Sequence, residues 1–145
     1  MPEKPAPAPE ELLAALPFGA RLGIRLEAAG PDRVAGTLPW SPDLCTAGGV
    51  LHGGALMTLA DTAGAVCAFL NLPPDAATST VESKTNFFRA VRSGHARAES
   101  RPLHVGRSFV VVQTDLYDAD GRRVGQTTQT QAVQAVQAVQ AVRGS

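Results

Sequence analysis

The sequence predicts an α+β domain in which one antiparallel sheet wraps around a single long helix. The stretch Leu51 to Leu70, LHGGALMTLADTAGAVCAFL, carries most of that expectation. It contains no proline and is too long for an ordinary strand, so a helix is expected to begin near Gly53 or Gly54. Leu56, Leu59, Ala63, Val66 and Leu70 form one apolar stripe, and Met57, Ala60, Gly64 and Ala68 fill another. A helix that is apolar all round is buried. A membrane span would need a longer run, free of glycine and of a carboxylate. Strand-like segments on both sides, two before the helix and four after it, supply the sheet. One sheet leaves part of such a helix uncovered, so a second copy of the chain is expected to close the other side. Burial would also make Asp61 the first functional candidate, since a buried carboxylate is costly unless bonded or used.

With 145 residues the chain fits one domain that can bury a core of its own. Its 13 Lys and Arg balance 13 Asp and Glu, which leaves no basic footprint for nucleic acid and no polybasic patch for a membrane. The opening MPEKPAPAPE lacks the apolar core of a signal peptide, and a cytoplasmic setting is expected. Cys45 and Cys67 read as free thiols in that setting. His52, His95 and His104 have no zinc-type spacing, so neither metal nor cofactor is expected.

The elements follow in order. Residues 1–9 are proline-rich and expected to be disordered. Leu12, Leu13 and Leu16 stand at helical spacing behind Glu10 and Glu11, predicting a short amphipathic helix. Pro17 and Gly19 read as a breaker. Leu22, Ile24 and Leu26 alternate with Gly23, Arg25 and Glu27, the period of a half-buried strand. A second strand is expected over Arg33 to Trp40, then a loop holding Pro42 and Gly48-Gly49. After the long helix, strands are expected over Ala76 to Phe88, His95 to Arg101 and Ser108 to Tyr117, with Pro102 to Arg107 as a connection. DADG (118–121) is a hairpin turn, and a last strand runs from Arg122 to about Ala132. The domain is thus read over 10–132. From Gln131 the chain repeats AVQ, a period of three that fits neither strand nor helix, so 133–145 reads as a low-complexity or appended tail.

The string GGVLHGGALMTLADTAGAV resembles the hotdog-fold acyl-CoA thioesterases of the phenylacetic-acid-degradation (PaaI-like) type. The family pattern is a glycine-containing loop, His-Gly-Gly, and an acid nine positions after the histidine; here these are His52, Gly53, Gly54 and Asp61. TVESKTNFFRAV (80–91) and LHVGRS (103–108) resemble the family's next strand and later loop, and the resemblance covers roughly 10–132. It implies a hotdog fold, an acyl-CoA substrate, and a homodimer that pairs further into a homotetramer.

A thioester carbonyl needs an attacking oxygen and a place for the negative charge that develops. Backbone N–H groups at a helix N-terminus offer the second, and the Gly53 N–H is expected to polarise the carbonyl. Glycine at 53 and 54 lets a ligand approach the backbone closely, or merely lets the loop turn. Asp61 lies a little over two turns from His52, roughly 13 Å along the axis, too far for both to meet in one chain. The resemblance places the carboxylate opposite the His-Gly-Gly loop of another copy, as nucleophile or general base. His52 is expected to hold the loop rather than act as a base. In relatives an Asn or Gln stands six residues before the histidine; here that position is Thr46, a shorter hydroxyl. Thr80 matches a Ser or Thr near the attacking water. For coenzyme A, the resemblance points to the Gly106 loop, with Arg89, Arg107 and Ser108 meeting phosphates. Phe87, Phe88 and Met57 read as core packing or as the lining of an acyl tunnel. Two alternatives stand beside hydrolysis: a hotdog acyl-thioester hydratase or dehydratase, and a non-catalytic acyl-CoA-binding module.

Overall fold

A computed structural model describes residues 5–136. Two short helices, α1 (Pro9–Ala14) and α2 (Pro17–Leu22), precede the hairpin β1 (Arg25–Ala29) and β2 (Val34–Pro39). The long helix α3 (Gly53–Phe69) follows, then β3 (Ala76–Phe87), β4 (His95–Val105), β5 (Phe109–Tyr117) and β6 (Arg123–Ala135). The six strands form one antiparallel sheet in the order β1-β2-β4-β5-β6-β3. Chain connectivity explains that order. β3 leaves α3 to pair with β6 at one edge, and β4 returns to pair with β2 near the other. Among the described residues no helix is long and apolar enough to cross a membrane.

The sheet curls around α3. Leu59, Ala60, Ala63, Cys67 and Ala68 are fully buried against Val34, Leu38, Ala96, Ala98, Val110, Val112 and Leu116. Burial pushes the Cys67 thiol up to about 11, with the Asp32 carboxylate adding to the effect. The opposite face of α3 is different. Met57, Asp61 and Phe69 are exposed, and Gly54, Thr58 and Ala65 are half-buried between them. One sheet does leave a stripe of the helix open.

Four expectations need correction. Pro17 opens a helix rather than breaking one, because a proline at the first helical position loses nothing. That helix ends on Gly23 in the left-handed region, at φ 97°, so Leu22 is helical and β1 begins only at Arg25. β4 continues to Val105 through a bulge between Pro102 and His104, where the proline's missing N–H is tolerated. β6 continues past Ala132 because β3 reaches back to Ala76: Val133 pairs with Thr78 and Ala135 with Ala76. Val133 packs on the core, and residues 137–145 of the repeat lie outside the described residues, as do 1–4.

Candidate active site

The segment before α3 is a closed loop. Thr46 N–H donates to Val50 O (2.8 Å), His52 N–H to Leu44 O (2.8 Å), and Trp40 Nε1–H to Gly49 O (3.0 Å). Gly48 and Gly49 both take positive φ, 79° and 73°, a conformation that side chains rarely adopt. The loop delivers His52 as the N-cap of α3. Its Nδ1 accepts from Gly54 N–H at 2.8 Å, and its carbonyl accepts from Ala55 and Leu56. His52 thus caps the start of the helix. The Gly53 N–H has no partner among the described residues.

Asp61 sits mid-helix on the open stripe. It is exposed in the single chain, so the argument from buried charge does not apply. Its environment is nevertheless ordered. Oδ1 accepts from Thr80 Oγ1 at 3.1 Å and from Gln129 Nε2 at 3.0 Å. Behind Thr80, Gln131 Nε2 donates to Thr80 Oγ1 (2.7 Å), and Thr78 Oγ1 donates to Gln131 Oε1 (3.0 Å). With Gln131 donating to it, the Thr80 hydroxyl turns its own hydrogen toward Asp61. Both bonds fall on Oδ1, and Oδ2 has no hydrogen bond among the described residues.

The expected residues separate into three places. Asp61, Thr80 and Gly54 line one cavity of about 610 Å³, together with Leu16, Phe18 and Met57. Gly53, Thr46 and Arg89 line a second, of about 370 Å³, with Phe87 and Phe88. Gly106, Arg107 and Ser108 form the β4–β5 turn, where Gly106 N–H donates to Phe109 O (2.8 Å). Met57, Phe87 and Phe88 are exposed, so core packing is not their role in the single chain. Sequence reasoning missed Gln129 and Gln131, which are buried on β6. The alternation of Thr127, Gln129 and Gln131 carries a strand signal, but Gln131 is also the residue from which the AVQ repeat runs.

The thioesterase superfamily profile matches residues 48–125, the stretch that holds α3, Asp61 and Thr80. The chain belongs to this family. The 1,4-dihydroxy-2-naphthoyl-CoA hydrolase of Escherichia coli is 34% identical over 101 residues, covering 70% of this chain and 74% of that one. The proofreading thioesterase EntH of Cronobacter turicensis is 33% identical over 102 residues, covering 70% and 74%. The matched stretch spans 74% of each of these two relatives and 66% of a putative esterase from Deinococcus radiodurans. A crystal structure of a mutant thioesterase PA1618 from Pseudomonas aeruginosa superposes with a TM-score of 0.85 at 30% identity, over 91% of this chain and 97% of that one. The fold is the hotdog fold, and the thioesterase family makes thioester hydrolysis the class of chemistry. These likenesses favour hydrolysis over hydration and over binding alone.

Proposed function

We propose that this thioesterase hydrolyses an acyl-CoA to the free acid and coenzyme A, at a site completed by two copies of the chain. One observation carries the proposal. Asp61 and the unpaired Gly53 N–H lie on one helix but line separate cavities. Eight residues of helix hold them roughly 12 Å apart, too far to serve one carbonyl. A second chain seated on the open stripe would bring each half to the other's complement. β3 is an edge strand whose outer side pairs with nothing among the described residues, and it runs beside the same stripe. A homodimer across β3, paired again as a homotetramer, is the assembly this reading requires. The setting is cytoplasmic.

Asp61 Oδ2 is the reacting atom. As general base it takes a proton from water while the water oxygen adds to the thioester carbonyl. The Gly53 N–H of the other copy receives the oxyanion, worth about 2.7–4 kcal/mol of barrier for one such donor. The C–S bond then breaks, and the proton on Asp61 passes to the coenzyme A thiolate. As nucleophile, Oδ2 itself adds to the carbonyl, coenzyme A leaves, and water cleaves the resulting anhydride. Neither route calls for a cofactor. Thr46 stands beside Gly53 with a hydroxyl where relatives carry an amide, and helps place the carbonyl or water. Arg89, Arg107 and Ser108 meet the phosphates of coenzyme A, with Gly106 allowing its approach. The acyl group, aryl-acetyl or medium-chain, enters the apolar space around Leu16, Met57 and Ala65. The Escherichia coli relative is named for an aromatic acyl-CoA, which supports a coenzyme A thioester as substrate.

Thiol release from phenylacetyl-, benzoyl-, hexanoyl- and palmitoyl-CoA tests this. Wild type should turn over at least one, and Asp61→Asn, with its oligomer intact, should lose orders of magnitude. No release from any member by wild type would sink the proposal. Oxygen-18 appearing in Asp61 after one turnover in labelled water would select the anhydride route.

A further inference from the structure

We infer that Gln129 is a positioning residue for Asp61: it crosses the helix over Gly64, fixes Oδ1, and leaves Oδ2 as the oxygen that reacts. The inference rests on Asp61 being the reacting carboxylate.

Gln129 is fully buried, yet it is only half satisfied. Its Nε2 reaches Asp61 Oδ1 at 3.0 Å, while its Oε1 is a buried acceptor without a partner among the described residues. Leaving such an acceptor unpaired costs stability, and an apolar side chain of the same size would avoid the cost. What the glutamine provides in return is its contact with Asp61. The helix is cut to admit it. A Cβ on Gly64 would stand 2.0 Å from Gln129 Oε1 and 2.7 Å from Cδ, so any side chain there pushes the glutamine amide out of its present place. Gly64 is itself buried in the middle of α3, where glycine weakens a helix. Two unfavourable local choices, on elements far apart in sequence, thus serve one contact.

The contact acts on geometry. With Thr80 as the second donor, Oδ1 is anchored from β3 and β6 together. Two donors on one oxygen stop the carboxylate turning about its Cβ–Cγ bond, so Oδ2 keeps a constant direction into the cavity. Losing one anchor lets the carboxylate rotate and its two oxygens exchange places. Gln129 does not line the cavity that holds Asp61, so it is not placed to contact a bound substrate. The effect therefore belongs in kcat rather than in KM.

The test compares wild type, Gln129→Met, Gln129→Glu and Gly64→Ala on the best acyl-CoA of the panel, with Asp61→Asn as the reference for lost chemistry. Methionine keeps the volume and removes the donor. Its kcat should fall about 10- to 100-fold, the range for one hydrogen bond to a charged group, with KM within about twofold. Gln129→Glu should fall further, since it turns a carboxylate on Asp61. Gly64→Ala, which displaces the glutamine without replacing it, should lower kcat in the same way, and it keeps the test open if Gln129→Met does not fold. Melting curves and size measurements accompany each variant. Wild-type kcat in folded Gln129→Met, with Asp61→Asn inactive, would overturn the inference and leave hydrolysis standing. No turnover by wild type would remove both.

Discussion

Replacing Gly64 by alanine should destabilise the protein, and the sign should reverse when Gln129 is shortened. In the wild-type background the new Cβ meets Gln129 Oε1 at 2.0 Å and Cδ at 2.7 Å, far inside contact distance. Gly64 is buried and Gln129 is fully buried, so the clash is relieved inside the core rather than in solvent. The glutamine must rotate away and lose its bond to Asp61, a charge-assisted bond worth about 1.5–3 kcal/mol. Overpacking of the surroundings adds about 1–3 kcal/mol. Alanine returns about 1 kcal/mol through its better helix propensity. The net cost is about 1.5–5 kcal/mol. In a Gln129→Ala background the obstructing atoms are gone, and the same substitution should stabilise by up to about 1 kcal/mol. Urea unfolding of the four proteins of this cycle, at one protein concentration because oligomers unfold with concentration dependence, measures the coupling. Equal costs for Gly64→Ala in both backgrounds would refute the notch.

His52→Ala removes the acceptor of the Gly54 N–H and should cost about 1 kcal/mol in urea unfolding, whereas His52→Asn, a good N-cap residue, should restore most of it. Glu99 gives a pH dependence. The Arg33 guanidinium bonded to it, with Arg97 beside it, holds its carboxyl below the usual carboxylate range. A group depressed in the folded state contributes stability above its unfolded value, near 4.5, and loses it as pH falls through the lower folded value. Glu99→Gln should therefore flatten the acid side of the stability curve below about pH 5, where wild type declines more steeply.

The central helix was legible because its signals are local. Residues 53–69 needed only the length of an apolar run, the preceding His-Gly-Gly and the following Pro73-Pro74. His52 and Asp61 were legible for the same reason, through a fixed spacing on one segment. The resemblance singled out Thr80 for a place near the attacking water; in the fold its hydroxyl donates to Asp61 Oδ1. Local signals misled where two patterns overlap. Leu22, Ile24 and Leu26 alternate like a strand, yet Leu22 ends α2, and only the left-handed turn at Gly23 separates the two elements. Gln129 and Gln131 were illegible because the face they occupy depends on pairing across β3, β6 and β5. β3 shifts register between Thr80 and Glu82, and that bulge sets Thr80 opposite Gln131 while Ser83 stands opposite Gln129. No count along one strand reveals it.

The bulge also explains why the half of the candidate site around Asp61 can be rigid although it borders an edge strand. An isolated edge would fray, and Thr80 with it. Here Thr80 is held from behind by Gln131, which is held in turn by Thr78 two residues earlier on the same strand. The strand thus bonds to β6 through its backbone and, at the bulge, through side chains as well. Gln129 then adds a second anchor to Asp61 that does not pass through β3 at all. Movement of the edge on assembly would disturb one donor to the carboxylate and leave the other. Under the proposed shared site, the direction of Asp61 Oδ2 depends on both anchors, so a second copy must dock on the outer side of β3 without displacing the Thr80 hydroxyl.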